Sequence, residues 1–251
     1  MAWNLARDGF LPHPIGMMKN STPFGRFRPR FLAPVLLTFF LPGCGGDAPD
    51  GAATQPPPNP LLEPANFQET GPESYRVRMQ TTKGEVVIQV NREWSPHGAD
   101  RFYNLVKAGY YDGVRIHRVV PGFVAEFGVH AVPHVNVRWR KAYIVDDTVR
   151  VPNNRGRVTF AKGAPHSRTV QVFINLRDNP SLDTEWFAPF GEVVEGMEVV
   201  DSFYGGYGDG PPRGRGPYLQ MAIAAGGGYF DEEFPLLDTI EKAVIESSGG
   251  G

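Results

Sequence analysis

The sequence is poor in cysteine, in net charge and in long apolar runs. Its 251 residues include one cysteine, Cys44, so no disulfide can form within the chain. The formal net charge is −2, so the chain lacks the basic excess that nucleic-acid-binding proteins carry. The apolar stretch at residues 31–41 is far shorter than the roughly 20 residues that a helix needs to span a bilayer. These absences exclude an internal disulfide framework, and they argue against a nucleic-acid partner and against a spanning helix at 31–41.

Patterns typical of metal and phosphate sites are also missing. The histidines between residues 97 and 166 do not follow the spacing of metal-ligand motifs, which predicts that the protein binds no metal. The glycine-rich stretch 205–216 lacks the Lys-Ser/Thr pair of a phosphate-binding P-loop, so a surface loop is predicted there. No cofactor is predicted.

The first 44 residues have the layout of an export signal. Residues 26–30 contain three arginines, and the short apolar stretch 31–41 follows them directly. The stretch ends in Leu-Pro-Gly-Cys at 41–44, which resembles the lipobox of bacterial lipoproteins, where cleavage before the cysteine leaves an acylated N-terminus. We therefore expect residues 1–44 to form the signal region and Cys44 to carry a lipid.

A lipid on Cys44 would hold the protein at the cell envelope. Several acyl chains together anchor a protein stably, whereas a single chain binds only marginally. The residue after the cysteine is Gly45 rather than aspartate, which in Gram-negative lipoproteins implies the outer membrane, on the side facing the periplasm. Plain secretion without a lipid is the alternative, and Met17 or Met18 is an alternative start of the chain.

A composition change separates a predicted tether from a predicted domain. Residues 45–72 are rich in proline, glycine, alanine and asparagine and have no apolar period, which predicts a disordered tether. Apolar residues then alternate at 75–80 and again at 85–90, on either side of a Thr-Lys-Gly turn. Two such runs around a glycine turn predict a β-hairpin.

Short apolar runs separated by turn residues continue through the middle of the chain. A helix is predicted to begin with Ser95 as its cap and Pro96 at its first position. Further apolar runs lie at 114–120, 123–129, 157–161, 170–176, 189–194 and 218–224. Many short strands with few helices are typical of a β-barrel. A second helix is predicted near residues 195–203.

The last segment has a pattern of its own, and we treat residues 229–251 as a C-terminal extension. Leu236, Leu237, Ile240 and Val244 recur at 3- and 4-residue steps. That spacing predicts a short amphipathic helix docked on the barrel. A helix that binds a partner is the alternative.

Three blocks of the chain, in order, resemble the cyclophilin-type peptidyl-prolyl cis/trans isomerases. They read GVRIHRVVPGFVAEFG at 113–128, GRVTFAKGAPHSRTVQVFINL at 156–176 and LDTEWFAPFGEVVEGMEVVD at 182–201. The resemblance implies a mainly β fold over residues 73–228, a closed eight-stranded antiparallel barrel capped by two α-helices. It also implies proline-containing polypeptides as substrates, and we expect a monomer.

The same resemblance assigns the residues of the site. It implies that Arg118, Phe123 and Gln171 are catalytic, with the guanidinium aimed at the proline nitrogen and the glutamine orienting it. The residues implied to bind substrate are Val124, Glu126, Ala161, Lys162, Phe173, Leu182 and Phe187. In isolation an arginine on a strand would be a solvated charge and a phenylalanine would be core, but the surrounding motifs favour a site.

Several positions depart from the family's pattern. Glu126 replaces a usual glutamine, and Lys162 replaces a usual asparagine. Ser181 stands where tryptophan is common, and Phe187 falls near a usual histidine. A carboxylate near Arg118 either holds the guanidinium by ion pairing or neutralises the charge that catalysis needs. Two functions therefore stay open: an active isomerase of exported proteins, and a non-catalytic module that binds proline-containing segments.

Overall fold

The computed structural model describes residues 59–246, which include the whole of the predicted barrel domain. The predicted signal region, with Cys44 and its lipid, lies outside the described residues, as do residues 45–58 of the predicted tether. Across the described range, none of the helices is both long enough and apolar enough to cross a membrane.

One antiparallel sheet forms the centre of the described residues. Its nine strands are β1 (Ser74–Thr81), β2 (Gly84–Asn91), β3 (Val114–Arg115), β4 (Arg118–Val120), β5 (Val124–Phe127), β6 (Arg157–Phe160), β7 (Val172–Asn175), β8 (Pro189–Glu195) and β9 (Thr239–Ile245). The strand order is β3-β9-β1-β2-β8-β6-β7-β5-β4. Only Ile116 and His117 separate β3 from β4, the strands at opposite ends of this order. The sheet therefore curls back on itself, and the mainly β fold is confirmed, with eight strands if β3 and β4 are counted as one.

The predicted hairpin is formed by β1 and β2. Their register ends with Thr81 opposite Gly84, so a two-residue turn joins the strands. On β1, Tyr75, Val77 and Met79 are buried, and the residues between them are exposed or half-buried. The period of two that the sequence shows is therefore the period of burial.

α1 (Pro96–Lys107) is the predicted first helix, but its N-terminus is capped by Asp147 instead of the predicted Ser95. Ser95 occupies the N-cap position, and its hydroxyl donates to the carboxylate of Asp147 (2.5 Å) instead of capping the helix. The same carboxylate accepts the backbone N–H groups of His97 (3.2 Å) and Gly98 (3.0 Å). A residue far away in the sequence therefore satisfies the unpaired donors at the start of the helix.

Five shorter helices complete the described residues: α2 (Pro133–Trp139), α3 (Pro180–Thr184), α4 (Met197–Asp201), α5 (Leu219–Ala225) and α6 (Gly227–Glu233). α4 lies within the region predicted to form a second helix. α5 lies where the run 218–224 predicted a strand, so that prediction was wrong. The run Leu-Gln-Met-Ala-Ile-Ala-Ala consists largely of good helix formers, and a short apolar run does not by itself distinguish helix from strand.

Residues 59–72 pack against the domain, unlike the disordered tether predicted for them. The chain forms 3₁₀ turns at Pro60–Leu62 and Pro64–Asn66. The carbonyl of the buried Leu61 accepts a hydrogen bond from Nε1 of Trp139 (2.8 Å), and the ring centroid of Phe67 lies 5.5 Å from that of Trp139. Isolated apolar residues in a proline-rich segment show no period, so only these tertiary contacts reveal the packing.

The helix predicted within residues 229–246 was also wrong for residues 239–245. Residues 239–245 form β9, which pairs with β1 on one side and with β3 on the other. The register with β1 shifts by one residue at Glu241, so a bulge interrupts the alternation of the strand. Because of the bulge, the buried Ile240 and Ala243 are three residues apart, a spacing that imitates a helix. The predicted extension therefore supplies a strand of the barrel.

We expect Ile240→Ala to destabilise the domain, because Ile240 is fully buried (0% exposed) in the core. Removal of its side chain should lower the free energy of unfolding by about 2–5 kcal/mol. Urea denaturation measures this change, with Glu241→Ala as the control because Glu241 is exposed on the same strand. The control should change the free energy by less than about 0.5 kcal/mol. Equally small effects of both substitutions would contradict the place of β9 in the core.

Candidate functional site

Strand alternation sorts the residues of β4, β5 and β7 onto two faces of the sheet. The core side receives Val119, Ala125, Phe127, Val172 and Ile174. The opposite, outer face carries four predicted site residues: Arg118, Val124, Glu126 and Phe173. Glu126 lies directly across from Arg118 on β4 and from Phe173 on β7. The sheet itself therefore separates the candidate site from the barrel core.

Six predicted site residues form one apolar cluster on this outer face. Its members are Val124, Phe173, Leu182 and Phe187, which are buried, and Phe123 and Ala161, which are partly buried. The rings of Phe173 and Phe187 meet edge to face, with centroids 5.8 Å apart. The structure thus brings together side chains from β5, β7, α3 and the connecting segments at Phe123, Ala161 and Phe187 that the sequence had assigned to one site.

A buried network of amide side chains holds the loops around the apolar cluster. Asn179 donates to the backbone carbonyl of Phe123 (3.0 Å) and to the side-chain oxygen of Asn175 (2.8 Å). Asn153 donates to the carbonyl of Phe187 (2.7 Å) and accepts from Asn175 (3.2 Å). Buried amides need such partners, and here the partners fix two phenylalanines of the cluster. The sequence analysis missed this network, because these asparagines show no diagnostic spacing in the sequence.

The guanidinium of Arg118 is held between two carboxylates. Its Nη1 donates to Oε2 of Glu126 (2.9 Å), and its Nε donates to Oδ1 of Asp209 (2.7 Å). The side chains of Arg118, Glu126 and Asp209 are 12%, 9% and 16% exposed, so both ion pairs are largely buried. The guanidinium carbon also lies 5.7 Å from the ring centre of Phe123. A buried positive charge therefore borders the apolar cluster.

Asp209 is a site residue that the sequence analysis missed. It lies in the glycine-rich stretch 205–216, which was predicted to be a surface loop. Gly208 adopts a φ of 68°, and the N–H of Gly216 donates to the carbonyl of Asp209 (2.8 Å), so the loop folds back on itself. On its other side, Asp209 pairs with Arg213 (3.1 Å). An aspartate among glycines carries no signal of the distant residue that it will meet.

These charges shift the pKa values of their partners. Burial by itself would lower the pKa of Arg118, but the charge of Glu126 and the hydrogen bond from Arg118 to Asp209 raise it above its ordinary value. Burial by itself would raise the pKa of Asp209, but the hydrogen bond and charge of Arg118, with the charge of Arg213, lower it. Arg118 and Asp209 therefore both stay ionised at neutral pH.

Gln171 and Ala161 meet through their backbones. The carbonyl of Gln171 accepts the N–H of Ala161 (2.9 Å), which continues the pairing of β6 with β7 by one residue. The predicted orientation of Arg118 by the side chain of Gln171 stays a prediction, because the hydrogen bonds described above reach the guanidinium from Glu126 and Asp209.

The ammonium group of Lys162 is turned away from solvent. The side chain is 7% exposed, and Nζ donates to Oδ2 of Asp146 (2.8 Å) and to the carbonyl of Trp186 (2.9 Å). Nζ also lies 5.3 Å from the ring centre of Phe187. The side chain therefore fastens the 186–187 loop beside the apolar cluster, and only the backbone of Lys162 stays a predicted substrate contact.

His117 and the other possible metal ligands do not assemble a second site. His117 is buried next to Phe230, with ring centroids 6.2 Å apart, and burial lowers its pKa. Within residues 59–246, no group of three or more His, Cys, Asp and Glu side chains could hold a metal ion.

We expect Arg118→Ala to raise the pKa of Asp209, because the guanidinium that lowers it is lost while the burial that raises it remains. Titration of the side-chain carboxyl signals by NMR measures the shift. Arg213→Ala is the matched control, and its effect should be smaller because the Arg213 side chain is 52% exposed and its charge is screened by water. A pKa of Asp209 that does not move in Arg118→Ala would contradict the buried pairing.

Named peptidyl-prolyl cis-trans isomerases are similar to the chain in sequence. Over 138 residues the chain is 33% identical to peptidyl-prolyl cis-trans isomerase cyp18 of Streptomyces antibioticus, covering 51% of this chain and 82% of the relative. It is also 33% identical over 138 residues to peptidyl-prolyl cis-trans isomerase B of Escherichia coli, covering 51% of this chain and 84% of the relative.

Solved structures of low sequence identity show the same fold. A cyclophilin-type peptidyl-prolyl cis-trans isomerase of Cryptosporidium parvum matches with a TM-score of 0.51 at 18% identity, over 70% of this chain and 99% of that chain. Cyclophilin AquaCyp293 from Hirschia baltica matches with a TM-score of 0.51 at 18% identity, over 72% of this chain and 77% of that chain.

The family assignment depends on a match that covers most of the barrel and the site. Residues 76–218, more than half of the chain, match the sequence model described as "Cyclophilin type peptidyl-prolyl cis-trans isomerase/CLD". This range contains Arg118, Asp209 and every member of the apolar cluster. The chain therefore belongs to the cyclophilin-type peptidyl-prolyl cis-trans isomerases.

Proposed function

We propose that the chain accelerates rotation of X–Pro bonds in exported polypeptides, without a covalent intermediate, through Arg118 and the apolar cluster. The observation that carries this proposal is the buried guanidinium of Arg118, which lies 5.7 Å from the ring centre of Phe123. A fixed positive charge at the edge of an apolar surface is the arrangement that a prolyl bond in rotation requires.

The chemistry needs no bond cleavage and no proton transfer. The amide bond resists rotation because of its partial double-bond character, with a barrier of about 18–20 kcal/mol. In the twisted amide the nitrogen regains its lone pair, so a cation or N–H donor near that nitrogen is attracted more strongly than in either planar form. An enzyme that binds the twisted form best lowers the barrier.

Arg118 suits this role because its guanidinium is charged at every relevant pH and presents donors in a rigid plane. Glu126 and Asp209 hold it in one position before a substrate arrives. Preorganised charges of this kind stabilise a transition state without further reorganisation. Their effect is stronger where water is excluded, and the Arg118 side chain is only 12% exposed.

The apolar cluster would receive the proline ring. Phe123, Phe173 and Leu182 provide the surface that the ring would contact, with Val124 and Phe187 around them. Burial of the ring would exclude water from the neighbourhood of the guanidinium. Backbone groups near Ala161 and Lys162 would hold the peptide on the N-terminal side of the rotating bond. An isomerase of Cryptosporidium parvum with a similar fold was crystallised in the presence of the dipeptide Ala-Pro.

The location is part of the proposal and is supported by the sequence alone. The arginines at 26–30, the apolar stretch 31–41 and the lipobox-like end at Cys44 favour export and a lipid anchor at the cell envelope. Clients would then be exported proteins whose folding waits for slow X–Pro isomerisation, which takes tens of seconds without a catalyst.

The two carboxylates around Arg118 favour a second function, a non-catalytic module that binds proline-containing segments. Glu126 and Asp209 place two carboxylates against one buried guanidinium, and the other cation at Asp209, Arg213, is 52% exposed and screened by water. Their field opposes the attraction between the guanidinium and the amide nitrogen. Binding of the proline ring by the apolar cluster would be retained under this alternative.

We expect Arg118→Ala to reduce the isomerisation rate constant kcat/KM by roughly 10²–10³-fold, the range for loss of one preorganised donor. NMR exchange spectroscopy on a short X–Pro peptide with the full chain measures this rate. Arg150→Ala is the control, since Arg150 is exposed. Equal rates for wild type and Arg118→Ala would rule out the role of the arginine, and binding without any acceleration would establish the non-catalytic module.

We expect Glu126→Gln and Asp209→Asn each to increase kcat/KM by about tenfold, because each removes a negative charge and keeps a hydrogen-bond acceptor for Arg118. Asp209→Ala is the matched comparison, because it removes the acceptor as well and should lower the rate. The same peptide assay measures all three. Lower rates in the two amide variants would show that the carboxylate charges support catalysis instead of attenuating it.

A further inference from the structure

α2 and the residues that follow it expose a basic and apolar surface. The basic-apolar face, as we name it, consists of Val137, Arg138, Arg140, Lys141 and Tyr143. The valine is 51% exposed and the tyrosine is 59% exposed. Apolar and aromatic side chains placed among lysines and arginines have the composition of surfaces that lie in a lipid interface.

The face is carried by a well-packed element. On the inner side of α2, Val135 and Trp139 are fully buried, and the guanidinium of Arg101 lies 5.2 Å from the ring centre of Trp139. Asn136 donates to the carbonyl of His130 (2.8 Å). Val137 and Arg138 are therefore presented by a fixed helix, and Arg140, Lys141 and Tyr143 lie in the segment directly after it.

The cations of the face are not neutralised by neighbours that the structure describes. Within residues 59–246, no ion pair involves Arg138, Arg140 or Lys141. One exposed carboxylate, Glu63, lies on the 3₁₀ segment that packs against α2. The face keeps an excess of positive charge after this carboxylate is counted, so it is complementary to an anionic surface.

The N-terminal end of the described chain reaches the domain at α2, the helix that carries part of this face. Leu61 contacts Trp139 of α2 through the hydrogen bond described above, so the chain continues toward its N-terminus from the neighbourhood of α2. Asn59 follows Cys44 by 15 residues, and a fully extended segment of this length spans about 50 Å at most. A lipid on Cys44 would therefore keep α2 within that distance of a bilayer.

We propose that the basic-apolar face docks on an anionic lipid surface. The cations would lie at the headgroups, where each lysine or arginine adds attraction to anionic lipids. Val137 and Tyr143 would lie at the level where apolar and aromatic side chains enter the interface. This docking goes beyond the proposed isomerase activity; only the argument from distance rests on the lipid proposed for Cys44.

Vesicle co-sedimentation tests the proposal with the full chain carrying Cys44→Ser, so that no lipid is attached. The probes are vesicles of phosphatidylcholine alone and of phosphatidylcholine mixed with phosphatidylglycerol. We expect binding to the mixed vesicles to weaken as salt is added, and to fall at least about tenfold in the triple variant Arg138→Glu, Arg140→Glu, Lys141→Glu.

The matched control is the triple variant Lys83→Glu, Arg177→Glu, Arg215→Glu, which changes three exposed cations elsewhere by the same charge. Equal loss of binding in both triple variants would overturn the proposal, as would equal binding by the face variant and the parent chain. Thermal unfolding followed by circular dichroism checks the fold, and a triple glutamine variant replaces the glutamate variant if the latter unfolds. Isomerase activity on a soluble peptide is a separate readout, so its failure would not bear on docking.

The apolar stretch 31–41 is present in every variant and could bind vesicles by itself. A measurement at α2 separates docking of the basic-apolar face from that binding. An environment-sensitive dye on Val137→Cys, in the Cys44→Ser background, should shift to a less polar emission when mixed vesicles are added. The same dye on Lys83→Cys should not shift. Equal behaviour of the two labels would contradict docking through α2.

Discussion

The guanidinium of Arg118 is a largely buried positive charge, and the arrangement of the residues around it follows from the need to compensate that charge. A buried cation is tolerated only with anionic partners and hydrogen bonds. Glu126 meets the guanidinium from the neighbouring strand, and Asp209 meets it from the glycine-rich loop 205–216. Compensation of one charge therefore ties this loop to the site.

The division of the sheet into two faces makes such a charge possible. Residues alternate along β4, β5 and β7, so the same strands supply the dry core on one side and the candidate site on the other. The core is packed with valine, isoleucine and phenylalanine, and these side chains do not contribute to the candidate site on the other face. The outer face can then hold Arg118 and the apolar cluster without placing a charge inside the barrel.

Loops complete the apolar cluster that the strands carry, and hydrogen bonds to polar side chains hold these loops in place. Asn153, Asn175 and Asn179 fix the backbone of Phe123 and Phe187, and the ammonium of Lys162 fastens the loop before Phe187. Loops with satisfied buried amides have few alternative conformations, because any other arrangement would leave polar groups unpaired. The fixed positions of Phe123 and Phe187 in the apolar cluster thus come from hydrogen bonds made by polar side chains.

The amino-acid sequence by itself determined the barrel class, the β1–β2 hairpin, α1 and the residues that gather in the apolar cluster, because periodicity and motif residues are local properties. Tertiary structure alone decided that Asp209 reaches Arg118, that Asp147 caps α1, and that residues 59–72 pack on Trp139. It also decided that residues 239–245 form a strand, which pairs with β1 and β3. The sequence did not show this, because the bulge at Glu241 gives the buried positions a helical spacing. In each of these cases the deciding contact joins residues far apart in the chain, and the free energy that selects the conformation comes from burial and pairing that no local window contains.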